Sequence, residues 1–269
     1  MKTILITGAS SGIGKDAALQ LFDQGYTVYG AARRVDRLET LVGHGLRPLE
    51  MDVTKEDDLR NSISTIIDET GRIDGLVNNA GYGEYGSLED TPMDLARYQF
   101  EVNVFGLARL TQLSLPHMRK QKSGRIINVS SIGGQMGEPH GAWYHATKFA
   151  VEGLSDSLRM EVAQFGIEVV VIQPGAIQTE WNTIARERLL KTSGDTAYGP
   201  LVHKHAAMLA NADARGSSPA VVGRAIVAAL TDKRPKTRYV VGAGAKPILW
   251  ARHWLSDRMF DRLMLRAID

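Results

Sequence analysis

Short β-branched runs recurring between longer stretches of helical period constrain this chain more than any other feature. A strand followed by a helix-length connection cannot pair through a hairpin; the crossover returns the chain to a parallel neighbour. Such runs lie at 3–7, 27–32, 47–51, 75–78, 125–130, 168–173 and 238–241, and helical period fills 12–24, 35–42, 56–70, 93–120, 142–164 and 219–231. The pattern predicts an α/β, doubly wound fold: a central parallel sheet of about seven strands flanked by helices. With 269 residues, 43% of them hydrophobic, there is enough apolar material for one large core, and no repeat or linker divides the chain. Residues 1–269 are therefore expected to form one domain. Two segments depart from the alternation. In 178–218 Gly, Ser, Asp, Pro and isolated apolar residues mix without a clear period, which reads as an irregular, substrate-covering insertion. Residues 245–269 read as an amphipathic helical extension, with Ser256 able to start a second helix.

Composition removes several classes of function. Without cysteine there is no disulfide, thiolate metal site or cysteine nucleophile, and the expected compartment is the cytoplasm. The first residues read as a strand rather than a leader, and no run of about eighteen apolar residues suggests a membrane span. The formal net charge is +2, but residues 233–269 carry nine basic against three acidic side chains, or +6, leaving −4 for the remainder. The basicity belongs to the tail, so nucleic acid is not an expected partner. Seven histidines, including His145, His203 and His205, show no metal-ligand pattern, so no metal is expected.

The turn Thr7-Gly8-Ala9-Ser10-Ser11-Gly12-Ile13-Gly14 lies between the first strand and the first helix. There, glycines let the backbone approach a pyrophosphate while the helix N-terminus offers N–H donors, the dinucleotide-binding arrangement of a Rossmann fold. An ATP-binding P-loop needs four residues between its first Gly and Gly-Lys; here five separate Gly8 from Gly14-Lys15, and Asp16 follows. The second strand ends in Ala32-Arg33-Arg34, with guanidinium groups where an acidic residue would hold a ribose 2′-hydroxyl. That favours NADP(H), with Arg33 nearest the strand end.

Tyr144 and Lys148 are four apart in a helix-forming segment, so they share one face and the ammonium can lie near the phenol. A free tyrosine has a pKa of about 10, and an adjacent cation that stabilises the phenolate brings proton exchange closer to neutrality. Ser131 ends the fifth strand at the carboxyl edge, where ligands bind in open α/β sheets. Its neighbours, Ser130 and Ile132, do not form the nucleophile elbow of a serine hydrolase.

Together with Asn103, Asn78-Asn79-Ala80-Gly81, Asp52-Val53 and Pro174-Gly175-Ala176-Ile177-Gln178-Thr179, these motifs resemble the short-chain dehydrogenase/reductase family in its compact single-domain branch, over about residues 2–179. The resemblance implies that Tyr144 is the general acid/base and that Ser131 hydrogen-bonds the substrate oxygen. It further implies that Lys148 lowers the tyrosine pKa and binds the nicotinamide ribose, and that Asn103 holds a water relaying protons to Lys148. It places Gly8, Ser10, Ser11, Gly12, Ile13 and Gly14 at the pyrophosphate, and Asp52 and Val53 at the adenine. Asn79, Ala80 and Gly81 lie along the adenosine ribose, and Pro174, Gly175, Ile177 and Thr179 lie toward the carboxamide. The implied function is an NADP(H)-dependent oxidoreductase acting on a carbonyl or alcohol of an apolar substrate, resembling steroid-, retinoid- and aldehyde-handling members, most of which are dimers or tetramers. An NADPH-binding sensor or scaffold without turnover is the alternative; intact Asn103, Ser131, Tyr144 and Lys148 count against it. The Trp- and Arg-rich tail has three competing uses: packing on the domain, contact with another subunit, or peripheral contact with an anionic membrane.

Overall fold

Strand β1 (Thr3–Thr7) is buried at every position, as a parallel strand covered on both faces must be. Its side chains alternate between two cores. Ile4 and Ile6 pack with Ala17, Ala18 and Leu21 of α1 (Gly12–Asp23) and with Val222 and Ile226 of α9 (Pro219–Thr231). Leu5 faces the other layer: Leu59, Ile63 and Ile66 of α3 (Glu56–Thr70), Leu110 and Met118 of α5 (Gly106–Gln121), and Leu158 of α6 (Ala142–Val162). The computed structural model describes residues 2–268; Met1 and Asp269, the outer limits of the expected single domain, lie outside the described residues.

The remaining strands are β2 (Thr27–Ala32), β3 (Arg47–Glu50), β4 (Gly75–Asn78), β5 (Gly124–Val129), β6 (Ile167–Pro174) and β7 (Arg238–Val241). Among the described residues they form one seven-stranded sheet in the order β3-β2-β1-β4-β5-β6-β7, every pairing parallel. Ile4 pairs with Val28 on one side and Gly75 on the other. The winding reverses between β1 and β4, opening a crevice at their carboxyl ends, the place such sheets use for ligands.

Three segments differ from the sequence expectation. The helix expected over 93–120 is α4 (Met93–Phe100), a π-helical turn (Glu101–Phe105) and α5, because one extra residue is accommodated at Asn103. The short helix α2 (Val35–Glu39) ends earlier than expected and is followed by a 3₁₀ turn at Val42–His44. The segment 178–218 is not irregular: it forms α7 (Glu180–Ser193) and α8 (Gly199–Ala214). Their buried residues are Ala185, Leu189 and Ser193 in the first and Gly199, Val202, His205 and Ala206 in the second, so the inward faces are mostly small or polar and leave little apolar contrast in the sequence. The tail forms two helices, α10 (Ala245–Trp254) and α11 (Asp257–Ile268), the second beginning just after Ser256.

Candidate active site

The Gly8–Gly14 turn sits at the crevice end of β1. Gly8 and Gly12 have φ of +66° and +54°, conformations that favour glycine. A Cβ on Gly14 would lie 2.4 Å from the Gly8 carbonyl oxygen and 2.6 Å from Asn79 Nδ2. The turn therefore closes onto α1 only with glycine there. Ser11 occupies the N-cap position in extended backbone without using its side chain as a cap, which leaves the first N–H groups of α1 for an anion. The loop after β4 buttresses the turn: Thr7 Oγ1 accepts from Asn79 N at 3.0 Å and Ala80 N at 2.9 Å, while Asn79 Nδ2 donates to Thr7 O at 3.0 Å. These backbone conformations and donors fit a pyrophosphate.

Beyond β2, Arg34 Nη2 lies 3.4 Å from Ser11 Oγ, and Arg33 Nη1 donates to Tyr98 Oη at 3.3 Å. Arg34 thus reaches the Gly-rich turn, whereas Arg33 is directed toward Tyr98 of α4. The carboxylate of Glu180, at the start of α7, spans Arg34 (3.3 Å) and Arg37 (2.8 Å), and Arg37 chiefly holds it below the usual carboxylate range. Sequence spacing did not identify Glu180, because the contact to Arg34 bridges 146 residues.

On α6, Tyr144 and Lys148 face the crevice. Lys148 Nζ lies 5.8 Å from the Tyr144 ring centroid and donates to Val129 O at 3.0 Å, so the end of β5 fixes the ammonium. Burial pushes the Tyr144 phenol up to about 12; the Ser131 hydroxyl hydrogen-bonds it and pulls it down, while Glu138 pushes it up. Burial also lowers the Lys148 ammonium to about 8, against the attraction of Glu152. Ser131 itself is held at the N-cap of a 3₁₀ turn (Ile132–Gly134), where its Oγ accepts from Gly133 N at 3.0 Å. The hydroxyl, phenol and ammonium expected from the sequence are therefore brought together at one sheet edge.

Asn103, on the π-helical turn, accepts from Tyr82 N at 3.1 Å and donates to Tyr82 O at 2.9 Å and to Thr147 Oγ1 at 3.1 Å. Its side chain thereby ties the loop after β4 to the residue preceding Lys148. Asp52 accepts from Thr54 N at 3.0 Å and shapes the turn leading into α3, with Val53 beside it. Asn78 is buried and donates to Thr111 and Asn128, a structural tie between strands and helix. Pro174 ends β6, Gly175 N donates to Val241 O, Ile177 is buried, and Thr179 stands at the N-cap position of α7 opposite Gly12.

An aromatic cluster closes the site from above. The Trp181 ring lies 5.0 Å and the Tyr85 ring 5.6 Å from that of Tyr144, and Leu189, Val202 and Ala206 of the two lid helices pack with them. In α7, Trp181 meets Tyr144, Leu189 belongs to the core, and Ile184 is exposed. A further contact joins residues distant in sequence: Tyr85 Oη donates to Glu138 Oε1 at 2.8 Å, setting a largely buried carboxylate behind Tyr85, whose ring packs on Tyr144. No helix among the described residues is long and apolar enough to cross a membrane, and no group of three or more His, Cys, Asp or Glu among them is arranged to hold a metal.

A family model described as short chain dehydrogenase matches residues 2–189. The 3-ketodihydrosphingosine reductase of Bacteroides thetaiotaomicron is 39% identical over 260 residues, covering 96% of this chain and 94% of that protein. The NADPH-dependent 3-dehydrocapnine reductase of Ornithobacterium rhinotracheale is 31% identical over 282 residues, covering 100% of this chain and 98% of its own. The crystal structure of a short-chain dehydrogenase from Streptomyces avermitilis superposes with a TM-score of 0.82 at 35% identity, covering 94% of this chain and 92% of that one.

Proposed function

Because the chain belongs to the short chain dehydrogenase family, we propose that it is an NADP(H)-dependent reductase of a carbonyl on an apolar substrate. The observation that carries this reading is the convergence of Ser131, Tyr144 and Lys148 at the sheet edge, with Ser131 held at the N-cap of the turn after β5 and the Lys148 ammonium 5.8 Å from the phenol ring. Two relatives, a 3-ketodihydrosphingosine reductase and an NADPH-dependent 3-dehydrocapnine reductase, favour a ketone and favour NADPH.

The Gly-rich turn and the first N–H groups of α1 would hold the pyrophosphate, Arg33 and Arg34 the additional ribose phosphate, and Lys148 the nicotinamide ribose. When bound, the nicotinamide supplies hydride to the carbonyl carbon. Negative charge then develops on the substrate oxygen, where the Ser131 hydroxyl donates a hydrogen bond and the Tyr144 phenol delivers a proton. Lys148 stabilises the phenolate left behind, and Trp181 and Tyr85 keep water from the reacting oxygen. Asn103 is a positioning residue that fixes the Tyr82 loop against α6 and so the orientation of Lys148.

The test is NADPH consumption with long-chain 3-oxo compounds, aromatic ketones, steroids and aldehydes. Wild type is expected to turn over a ketone, and Tyr144→Phe to bind NADPH equally well while losing about a thousandfold in turnover, within the range for removing a general acid. Tight NADPH binding by the wild type with no turnover of any carbonyl would instead favour a sensor.

A further inference from the structure

We propose that the α10–α11 surface adsorbs to an anionic membrane, holding the catalytic domain at the lipid–water interface. The helices are seated on the domain through few residues: Ala245 is buried in α10, and Phe260 and Ile268 in α11. What they leave outside is unusual for a helix whose only task is packing. Trp250 and Trp254, four apart in α10, are 66% and 68% exposed, and Met259 and Leu263, four apart in α11, are exposed as well. Large exposed apolar side chains gathered on one surface mark an interaction site. Tryptophan favours an interface between hydrocarbon and water, because its ring is apolar and its N–H polar.

Charge selects the partner. Arg258, Arg262 and Arg266 recur at every fourth residue of α11 and so form a cationic row adjoining the Met259–Leu263 stripe. Among the described residues none of these arginines is paired with a carboxylate, whereas Arg252 is committed to Asp257 at 2.9 Å and stacks on Phe260. An apolar stripe edged by arginines is the pattern of a helix lying in an anionic lipid interface. A symmetric contact with a second copy would set this arginine row against itself, leaving Asp261 and the already engaged Asp257 as the nearby acidic groups in the described part of α11.

Position adds a third argument. A cavity of about 570 Å³ lies between α11, lined by Phe260, Met264 and Leu265, and the 137–139 loop. On its wall Glu138 accepts the hydrogen bond from Tyr85, whose ring packs on Tyr144. The inner edge of the surface is thus connected to the Tyr144 phenol through Glu138 and the buried Tyr85.

The experiment is vesicle co-sedimentation of the full chain, with phosphatidylcholine alone or containing one-third phosphatidylglycerol, together with quenching of tryptophan fluorescence by brominated lipid. Binding at least about tenfold stronger to the anionic vesicles, weakened by salt, is expected. The triple variant Arg258→Gln, Arg262→Gln, Arg266→Gln should lower partitioning about a hundredfold, at roughly fivefold per cation. Trp250→Ser with Trp254→Ser should abolish the quenching, and thermal melting should confirm that both variants are folded. Neither turnover nor cofactor enters the readout, so failure here leaves the reductase reading untouched. A full chain that stays in the supernatant with anionic vesicles overturns the proposal. So does a dimer that the tryptophan variant dissociates in the absence of vesicle binding.

Discussion

Residues 2–179 and 180–268 are held to the same sheet by different means. In the first region the functional groups are fixed by buried contacts. Thr7 binds the loop after β4, Asn103 joins that loop to α6, and the Lys148 ammonium is anchored on the Val129 carbonyl. In the second, much of the polar attachment is exposed: Glu180 to Arg34 and Arg37, and Tyr198 to Glu89. Buried exceptions include Arg188 with the Glu84 carboxylate, Ser193 with the Ser87 backbone, His205 of α8 with His140, and Arg238 with Glu152. Exposed ion pairs contribute little, from nothing measurable to about 1 kcal/mol each, because water and salt screen them. The difference teaches a division of labour. Buried ties preorganise the Ser131–Tyr144–Lys148 region, whereas α7 and α8 rest on it largely through apolar contact with Tyr85 and Tyr144.

The most severe test of that division is Lys148→Met, which should reduce turnover by two to three orders of magnitude with the fold retained, while no lid substitution approaches that loss. The same position carries a stability signature. Burial depresses the folded-state value to about 8 from 10.5, so between those limits the unfolded chain holds a proton that the native protein has released. Wild-type stability should therefore gain a contribution as pH rises from about 8 toward 10.5, and Lys148→Met should lack it, as read by denaturant unfolding across that range. A smaller effect is expected at the cofactor end: Arg33→Ala should weaken NADPH at least about tenfold more than NADH, a value of roughly 1.4 kcal/mol read from paired titrations. Equal losses for both cofactors would place the phosphate elsewhere. The mildest is Glu180→Gln, which frees Arg34 and Arg37; NADPH should bind a few-fold tighter in low salt, with the gain disappearing as salt is raised. No change would mean that Glu180 does not compete with the cofactor phosphate for these arginines.

The same contrast explains how far the sequence could be read. All seven strands were legible because short β-branched runs alternate with helical stretches, and the turn was legible through glycines that backbone angle (Gly8, Gly12) or close approach (Gly14) requires. Ser131, Tyr144 and Lys148 were legible because fixed spacing along a strand end and a helix face implies proximity. The lid helices were not, since Ala185, Ser193, Gly199 and His205 on their buried sides erase the apolar period. The π-helical turn at Asn103 leaves no mark in residue type, and the Glu180 and Glu138 contacts join residues that only the folded chain brings together. The tail was legible as amphipathic, but which of its apolar residues would be buried depended on how α11 docks.

Burial raises the Tyr144 phenol to about 12; under the proposed function, a cationic Lys148 and the bound dinucleotide are what bring it into a working range. The most direct test of that central claim is the pH dependence of alcohol oxidation by the NADP⁺ complex, in which Tyr144 must act as base. A rate that reaches its plateau at least two pH units below 12, with the plateau displaced upward in Lys148→Met, is the expected result. A rate still climbing toward pH 12 in the wild type, or an unchanged profile in Tyr144→Phe, would contradict it.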